Sequence, residues 1–398
     1  MSNVSDIYAV SHLDGSASEG ADNEEEFYEY YDLWVRYLLG AKANLKDRTL
    51  TLAIYHQTPI WKATRFRFVV CHASPTGNMQ VALITVGDIV LVYDGLDQSV
   101  PFELQDSWQE HITCAAFRPS GTVMLAVGCA EGLCIWEKNS DQMRLLSATG
   151  HKYVTSLTWS KNGAHLVSAA VSTHHIVIWD MDKKNFVRFV PGPGGLLTCY
   201  HQLLFSPDFQ LLLCADNNSR ASICQMNQSG NQDLNRKDVK RDLLLMKATI
   251  HAAAWATIGD CQYLLFAHER DSKLYALTCK KEDGLWIQCV LSDLEAHPEQ
   301  FIVSPQNNLL VIKFKKKNFV KLYKLVPCEN LPPKIIPLLC YYSTIDGRAE
   351  RDENIFAECV AFGEDDSPED PLLVIAWSSG SLHHIKLLPS TEEESLHS

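Results

Sequence analysis

The feature that most constrains this chain is an internal repeat in which a short apolar run is followed by a turn of the Ser-Pro-Asp-Gly type. Seven copies have anchors at positions 73, 117, 159, 205, 255, 303 and 362, spaced by 44, 42, 46, 50, 48 and 59 residues. Rings of four-stranded β-sheets have repeats of about 40 to 45 residues. The sequence therefore predicts an all-β fold of repeated sheets, with surface loops accounting for the longer intervals.

The third copy shows the repeat most clearly, because it carries Gly150-His151 and, 28 residues after the histidine, Trp179-Asp180. Gly-His and Trp-Asp pairs are the signature of a WD40 propeller blade. The strands of this copy are predicted at residues 154–159, 165–170 and 176–180. Other copies keep the strand pattern and lose the signature, which leaves room for six to eight blades. We predict a seven-bladed WD40-type β-propeller with a short N-terminal helical segment.

Closure of such a ring requires one more strand, since the last copy ends after runs at residues 372–377 and 382–387. The apolar segment 50–55, upstream of the first anchor, can complete that blade and remove a free sheet edge. We predict four segments along the chain. Residues 1–21 are a disordered acidic N-terminus and residues 22–48 a helical segment with its linker. Residues 49–390 form the propeller, and residues 391–398 a short acidic tail.

A buried polar network is expected in the third blade. Buried polar side chains have to share hydrogen bonds, so His151 should contact Ser168, and Ser168 should contact the indole of Trp179. The aspartate that usually completes such a network is missing from the turn at residues 171–174. We therefore expect an incomplete network with a structural role, and we propose no catalytic residue in it.

Residues 22–40 have a helical period instead. Asn23 and Glu26 form a capping pair and Gly40 is a stop signal. This segment either packs on the side of the propeller or docks on a partner, and both interpretations stay open. The candidate partner-docking residues, spaced to share one helix face, are Phe27, Tyr30, Tyr31, Trp34 and Leu38.

Charge favours a protein partner over nucleic acid. Nine of the 48 acidic residues lie within residues 1–35, which contain no Lys or Arg, so 39 acids face 35 bases in the rest of the chain. Such a surface does not attract phosphate backbones. The basic run 313–321 resembles a nuclear-import or nucleic-acid patch, but its alternation with Phe and Val favours an exposed hairpin tip. No signal peptide or run of 18 apolar residues is found, so we expect an intracellular chain without a membrane span.

The chain lacks the motifs of enzymes, metal sites and nucleotide sites. The glycines of residues 191–195 form no phosphate-binding loop, and the thirteen cysteines include no C-x-x-C pair. The pairs His174-His175 and His383-His384 have no carboxylates at metal-ligand spacing. We therefore expect a non-enzymatic protein without cofactor or metal.

Three stretches of the sequence resemble one family of WD-repeat proteins. They are strands 154–159 with 176–180, the Gly194-Gly195 turn leading into residues 204–208, and the ending at residues 376–380 with its short following strand. On these residues the chain, from about 66 to 388, resembles the aladin family of WD-repeat nucleoporins. The segment before the ring is shorter than in vertebrate members, and the tail after residue 390 has only a few residues.

This resemblance implies a peripheral nucleoporin at the nuclear envelope, held in the pore by a transmembrane nucleoporin. It further implies roles in nucleocytoplasmic transport and in assembly of the mitotic spindle. Our hypothesis is a rigid ring whose top and side surfaces, with the aromatic N-terminal helix, hold another nucleoporin. The alternatives are a WD40 substrate receptor of a ubiquitin ligase, a trafficking adaptor, and a phosphoinositide-binding propeller, whose Phe-Arg-Arg-Gly motif is missing here.

Overall fold

The computed structural model divides the chain into two compact units, Met1–Leu52 with Pro389–Ser398, and Ala53–Leu388. It describes residues 50–55, 66–72, 80–94, 101–138, 142–160, 162–171, 173–191, 199–217, 220–226, 239–246, 249–259, 261–268, 272–280, 284–304, 309–328, 331–342, 354–364, 371–380 and 382–389. These residues form strands and turns and include no helix. The predicted N-terminal helical segment, with its candidate docking residues, and the predicted tail lie outside them.

The described residues contain 28 strands in seven four-stranded sheets. The first three sheets comprise β2 (Phe66–His72), β3 (Gln80–Thr85), β4 (Val90–Asp94), β5 (Phe102–Leu104), β6 (Cys114–Phe117), β7 (Met124–Gly128), β8 (Leu133–Glu137), β9 (Arg144–Leu146), β10 (Val154–Trp159), β11 (His165–Ala170), β12 (Ile176–Asp180) and β13 (Asn185–Phe189). The fourth and fifth comprise β14 (Tyr200–Phe205), β15 (Leu211–Asp216), β16 (Ala221–Met226), β17 (Val239–Met246), β18 (Ile250–Ile258), β19 (Cys261–His268), β20 (Leu274–Lys280) and β21 (Gly284–Leu291). The last two comprise β22 (Pro298–Val303), β23 (Leu309–Phe314), β24 (Phe319–Cys328), β25 (Leu331–Tyr342), β26 (Ala357–Glu364), β27 (Pro371–Trp377), β28 (Leu382–Pro389) and β1 (Leu50–Tyr55).

The sheets form a closed ring of blades. Strands of each sheet follow in chain order, except that the seventh sheet has the order β1-β28-β27-β26, so segment 50–55 supplies its fourth strand. The first strand of each sheet, β2, β6, β10, β14, β18 and β22, contacts the first strand of the next, and β26 contacts β2. Closure of the ring protects strand edges that would otherwise recruit other chains. The predicted all-β propeller fold is thus confirmed.

Apolar packing between neighbouring blades forms the core. Between the second and third sheets, Leu133 and Ile135 pack in one cluster with Trp159 and Leu166. The last and first sheets share another cluster, in which Val374 of β27 packs with residues of β3 and β4. The second strand of a blade is covered on both faces, which explains the nearly continuous apolar runs of β3 and β23.

The first strand of each sheet is the innermost of its blade and the fourth is the outermost. In the third and fourth sheets, the turn after the innermost strand has the side-chain contacts that the repeat predicts. In the fourth sheet, Ser206 Oγ donates to Asp208 Oδ1 at 2.5 Å and accepts the backbone N–H of Leu211 at 3.0 Å. In the third sheet, Ser160 and Asn162 make the equivalent pair of contacts, with Ser160 Oγ 2.7 Å from Asn162 Oδ1. Short polar side chains at these positions satisfy backbone groups within the reversal. Anchors 117, 159, 205 and 303 therefore mark the ends of first strands of their sheets, whereas anchors 255 and 362 lie within β18 and β26, and position 73 lies outside the described residues.

Candidate functional site

The third blade contains a buried hydrogen-bonded network around Ser168. Its Oγ lies 2.8 Å from His151 Nε2 and accepts the Trp179 indole N–H at 2.8 Å. Thr173 lies in the turn from which the usual aspartate is missing, and its Oγ1 lies 3.4 Å from His151 Nδ1. His151 and Ser168 are fully buried. The network joins the loop before β10 to β11 and β12.

Burial fixes the charge state of this network. It lowers the pKa of His151 from 6.5 to about 4, and the nearby His175 and Arg188 lower it further. A neutral ring makes both contacts without placing a charge in the core. Burial also lowers the pKa of His175.

Two further buried polar contacts were not predicted from the sequence. In the second blade, buried Gln109 takes the place of the histidine, and its Oε1 accepts the indole N–H of Trp136 at 2.7 Å. Between the sixth and seventh blades, Tyr341 Oη of β25 lies 3.0 Å from His383 Nδ1 of β28, beside the ring of Trp377. The weak sequence signal was the tryptophan near the end of β8 and of β27. Neither contact contains a Gly-His pair, because Gln109 bonds the indole in the first and Tyr341 bonds His383 in the second, which is why a Gly-His and Trp-Asp pattern did not find them.

One end of the ring, called the upper face here, is formed by two sets of connections. They are the turns between the second and third strands of a sheet and the loops from the fourth strand to the first strand of the next sheet. Both sets lie at the same end because consecutive strands run antiparallel. In the described part of the chain, the upper face is therefore a composite of connections from several blades.

Exposed apolar side chains on this face are concentrated on the first three blades. Of the seven large hydrophobic residues exposed in the described chain, Phe102, Phe186 and Ile287 lie on outermost strands, and the others lie in upper-face connections. We define the upper-face patch as these others with the adjacent exposed imidazole, namely Val86, Trp108, His111, Tyr153 and Val171. Trp108 and Tyr153 are 51% and 53% exposed, an arrangement typical of a binding surface rather than a core.

Backbone hydrogen bonds hold the patch across three blades. The N–H of Ala130 donates to the carbonyl of Glu110, and the N–H of Tyr153 donates to the carbonyl of Ala130, at 2.9 and 2.8 Å. The N–H of Val171 then donates to the carbonyl of Tyr153 at 3.0 Å. The exposed tyrosine is thus tied to the connections on both sides. A backbone that is already fixed has little further conformational entropy to lose when a partner binds.

The local backbone also turns the patch residues outwards. Tyr153 and His111 have φ values of 56° and 54°, in the left-handed region that residues with a Cβ adopt only at a cost. The carboxylate of Asp88 accepts the N–H groups of His111 and Ile112, both at 2.9 Å. The rings of His111 and Tyr153 lie 6.4 Å apart. No local sequence motif signals this geometry, so the patch was not found from the sequence.

A cleft of about 670 Å³ opens beside Trp108. Asp106 shapes the loop by accepting the backbone N–H of Trp108 at 2.9 Å. Segment 101–113, which comprises β5 and the loop to β6, carries Glu103, Asp106 and Glu110 and no Lys or Arg. The cleft is therefore acidic, and the loop that lines it also carries the exposed Trp108. Its lining residues include Gly87, Asp88, Gln105, Asp106, Glu110 and His111.

The basic run forms a hairpin on another part of the upper face, as its alternation predicted. Lys315, Lys316 and Lys317 lie exposed in the turn between β23 and β24. Lys313 instead is buried, with its Nζ 2.8 Å from Glu299 Oε2, and Lys321 pairs with a glutamate of the preceding loop. The run is thus a strand, a turn and a strand, and only its three turn lysines present a basic surface.

The described residues hold no cluster of three or more His, Cys, Asp or Glu side chains suited to a metal. A helix of the length and apolarity needed to cross a membrane is likewise absent from that part of the chain. The cysteines whose side chains the structure describes are free thiols. Burial raises the pKa of the Cys114 thiol to about 12, which makes it a poor nucleophile at neutral pH.

Known proteins resemble this chain in sequence and in fold. Residues 143–180 match the WD40 family, described as WD domain, G-beta repeat. Aladin of Arabidopsis thaliana is 23% identical over 148 residues, which cover 30% of this chain and a third, 33%, of that relative's length. The β-propeller domain of Cps50 (Swd1) from Myceliophteria thermophila has a TM-score of 0.60 at 11% identity, covering 84% of this chain and 99% of that one. Together with the seven sheets, these matches show that the fold is a WD40-type β-propeller.

Proposed function

We propose that this protein is a non-enzymatic docking scaffold whose upper-face patch binds another protein, as an aladin-like component of the nuclear pore complex. The observation that carries the docking role is the cluster of exposed apolar side chains on three consecutive blades, fixed by backbone hydrogen bonds. Isolated exposed hydrophobics are ordinary, whereas a contiguous group on a rigid support is typical of an interface. The similarity to a protein named aladin supports the location at the pore.

The proposed partner is another nucleoporin, in particular a transmembrane nucleoporin that anchors the ring at the nuclear envelope. Support of nucleocytoplasmic transport, and of spindle assembly in mitosis, would follow from that attachment. The affinity would come mainly from a few desolvated aromatic anchors, and Trp108 and Tyr153 are the side chains of the patch that suit this role. The N-terminal stripe at residues 27–38 stays a second proposed contact.

Replacing Trp108 and Tyr153 together by alanine should reduce partner capture at least tenfold while leaving the ring folded. Each is about half exposed, so truncation removes contact area without opening a core cavity. The measurement is affinity purification with proximity labelling in cells, quantified against the unchanged protein. Ile287→Ala is the matched control, since Ile287 is 49% exposed on an outermost strand.

The identity of the captured proteins tests the cellular role. Pore proteins in the unchanged sample, lost in the double variant and retained with Ile287→Ala, support the proposal. Cullin adaptors in place of pore proteins would support a ubiquitin-ligase receptor and contradict the nucleoporin role. Equal capture by all three proteins would contradict docking at the patch.

A further inference from the structure

We infer that the upper-face patch and its adjoining cleft bind a positively charged, extended peptide segment of the partner, with Lys or Arg side chains in the cleft. This inference rests on the proposed docking function and names the chemistry of the segment that docks. Two observations carry it: exposed aromatic side chains in the patch, and, in the adjoining cleft, carboxylates without basic neighbours among the described residues.

The carboxylates of Asp106 and Glu110 are placed to accept cations. Both line the cleft, and within the described part of the chain neither has a basic side chain at ion-pair distance. Glu110 is exposed, and its backbone carbonyl accepts the N–H of Ala130, which fixes the backbone position from which its side chain extends. By contrast, Glu131 on the neighbouring turn is neutralised by Lys152 at 2.8 Å. The charge available to a partner is therefore negative and located at the cleft.

The aromatic side chains add a preference for the same kind of partner. Trp108 extends from the loop that lines the cleft, and Tyr153 lies one blade further along the connected backbone. Exposed indole and phenol faces attract Arg and Lys cations, which then pack their aliphatic stems on the rings. An acidic peptide would meet repulsion at Glu110 and gain nothing from these faces. The two observations thus select the same sign of charge.

The rest of the upper face argues that this preference is local. Lys315, Lys316 and Lys317 occupy the corresponding turn of the sixth blade, where they attract the opposite charge. The upper face therefore has both acidic and basic regions. Binding of a basic peptide at the cleft would then depend on the local charge there and not on a uniformly acidic protein surface. Reversing the charge of one residue should consequently weaken binding of a basic peptide only when that residue lies beside the patch.

The test is fluorescence anisotropy with the full chain and two labelled peptides of equal length, one Arg-Lys-rich and one Glu-rich, both with interspersed Gly and Ser. The basic peptide should bind at least tenfold more tightly than the acidic peptide, and its affinity should fall as salt rises. Glu110→Lys should weaken the basic peptide at least fivefold. Glu137→Lys is the matched control, because Glu137 ends β8 at the opposite face and the charge change is the same.

The neutral variant Asp106→Asn with Glu110→Gln separates charge from loop damage, since both amides keep hydrogen-bond acceptors. Loss of basic-peptide binding in this variant, with an unchanged melting temperature, supports the inference. Equal binding of the two peptides, or equal weakening by Glu110→Lys and Glu137→Lys, would overturn it. If partner capture in cells still depends on Trp108 and Tyr153 in that case, the docking function stands and only the charge of the partner is refuted.

Discussion

Replacing Trp179 by alanine should lower the free energy of unfolding by about 3 to 5 kcal/mol, the range for large aromatic side chains truncated in cores. Trp179 is 4% exposed, its indole donates to Ser168 Oγ at 2.8 Å, and its ring lies 5.2 Å from that of Phe186. Truncation opens a cavity at the interface between the second and third blades and leaves the Ser168 hydroxyl with one partner fewer. The change is measured as the shift in urea unfolding and in melting temperature.

Trp108→Ala is the matched control, because the same chemical change is made at a side chain that is 51% exposed. Its effect should stay within about 0.5 kcal/mol, as is usual for surface substitutions. A melting temperature unchanged by Trp179→Ala, or lowered equally by both substitutions, would contradict the assignment of Trp179 to the core of a blade.

Acidification should destabilise the protein through His151 by about 2 to 3 kcal/mol between pH 7 and pH 4.5. Burial lowers the pKa of His151 to about 4 in the folded chain, against 6.5 in the unfolded chain. Between these values the unfolded chain binds a proton that the folded chain does not, so the stability is present above pH 6.5 and lost as pH falls towards 4. The measurement is the free energy of unfolding against pH, from urea titrations.

Other groups titrate in the same range, so the contribution of His151 is read from the difference between the unchanged protein and His151→Gln. Gln109 occupies the corresponding place in the second blade and bonds Trp136, which shows that an amide suits such a site. The variant should be less stable at neutral pH and have a flatter pH dependence below 6.5. Parallel curves for the two proteins would show that the imidazole does not resist protonation.

The fold could be predicted from the sequence because each repeat carries its own local signals. The three strands expected in the third copy are β10, β11 and β12 with the same bounds, and segment 50–55 is a strand of the seventh sheet. Alternating apolar residues and Ser-Pro-Asp-Gly turns act within a few positions of one another, so one sequence is enough to locate them.

The candidate site could not be predicted because it is assembled from connections of different blades. Val86, Trp108 and Tyr153 lie in connections of different blades, and the antiparallel order of strands in packed neighbouring sheets brings these connections to one face. The outward direction of Tyr153 depends on a left-handed backbone held by Ala130 and Val171, which no sequence motif encodes. Likewise, Thr173 near His151 was missed because a threonine in a turn has no distinctive signal.

The most direct test of docking at the patch is site-specific photocrosslinking in cells, with a benzophenone side chain at position 153 or, as control, at position 287. Both positions are exposed to a similar extent, 53% and 49%, and they lie on different blades. We predict one dominant partner crosslinked from position 153 and at least fivefold less of it from position 287. Equal crosslinking from the two positions, or none from position 153 while the partner still copurifies, would contradict the account.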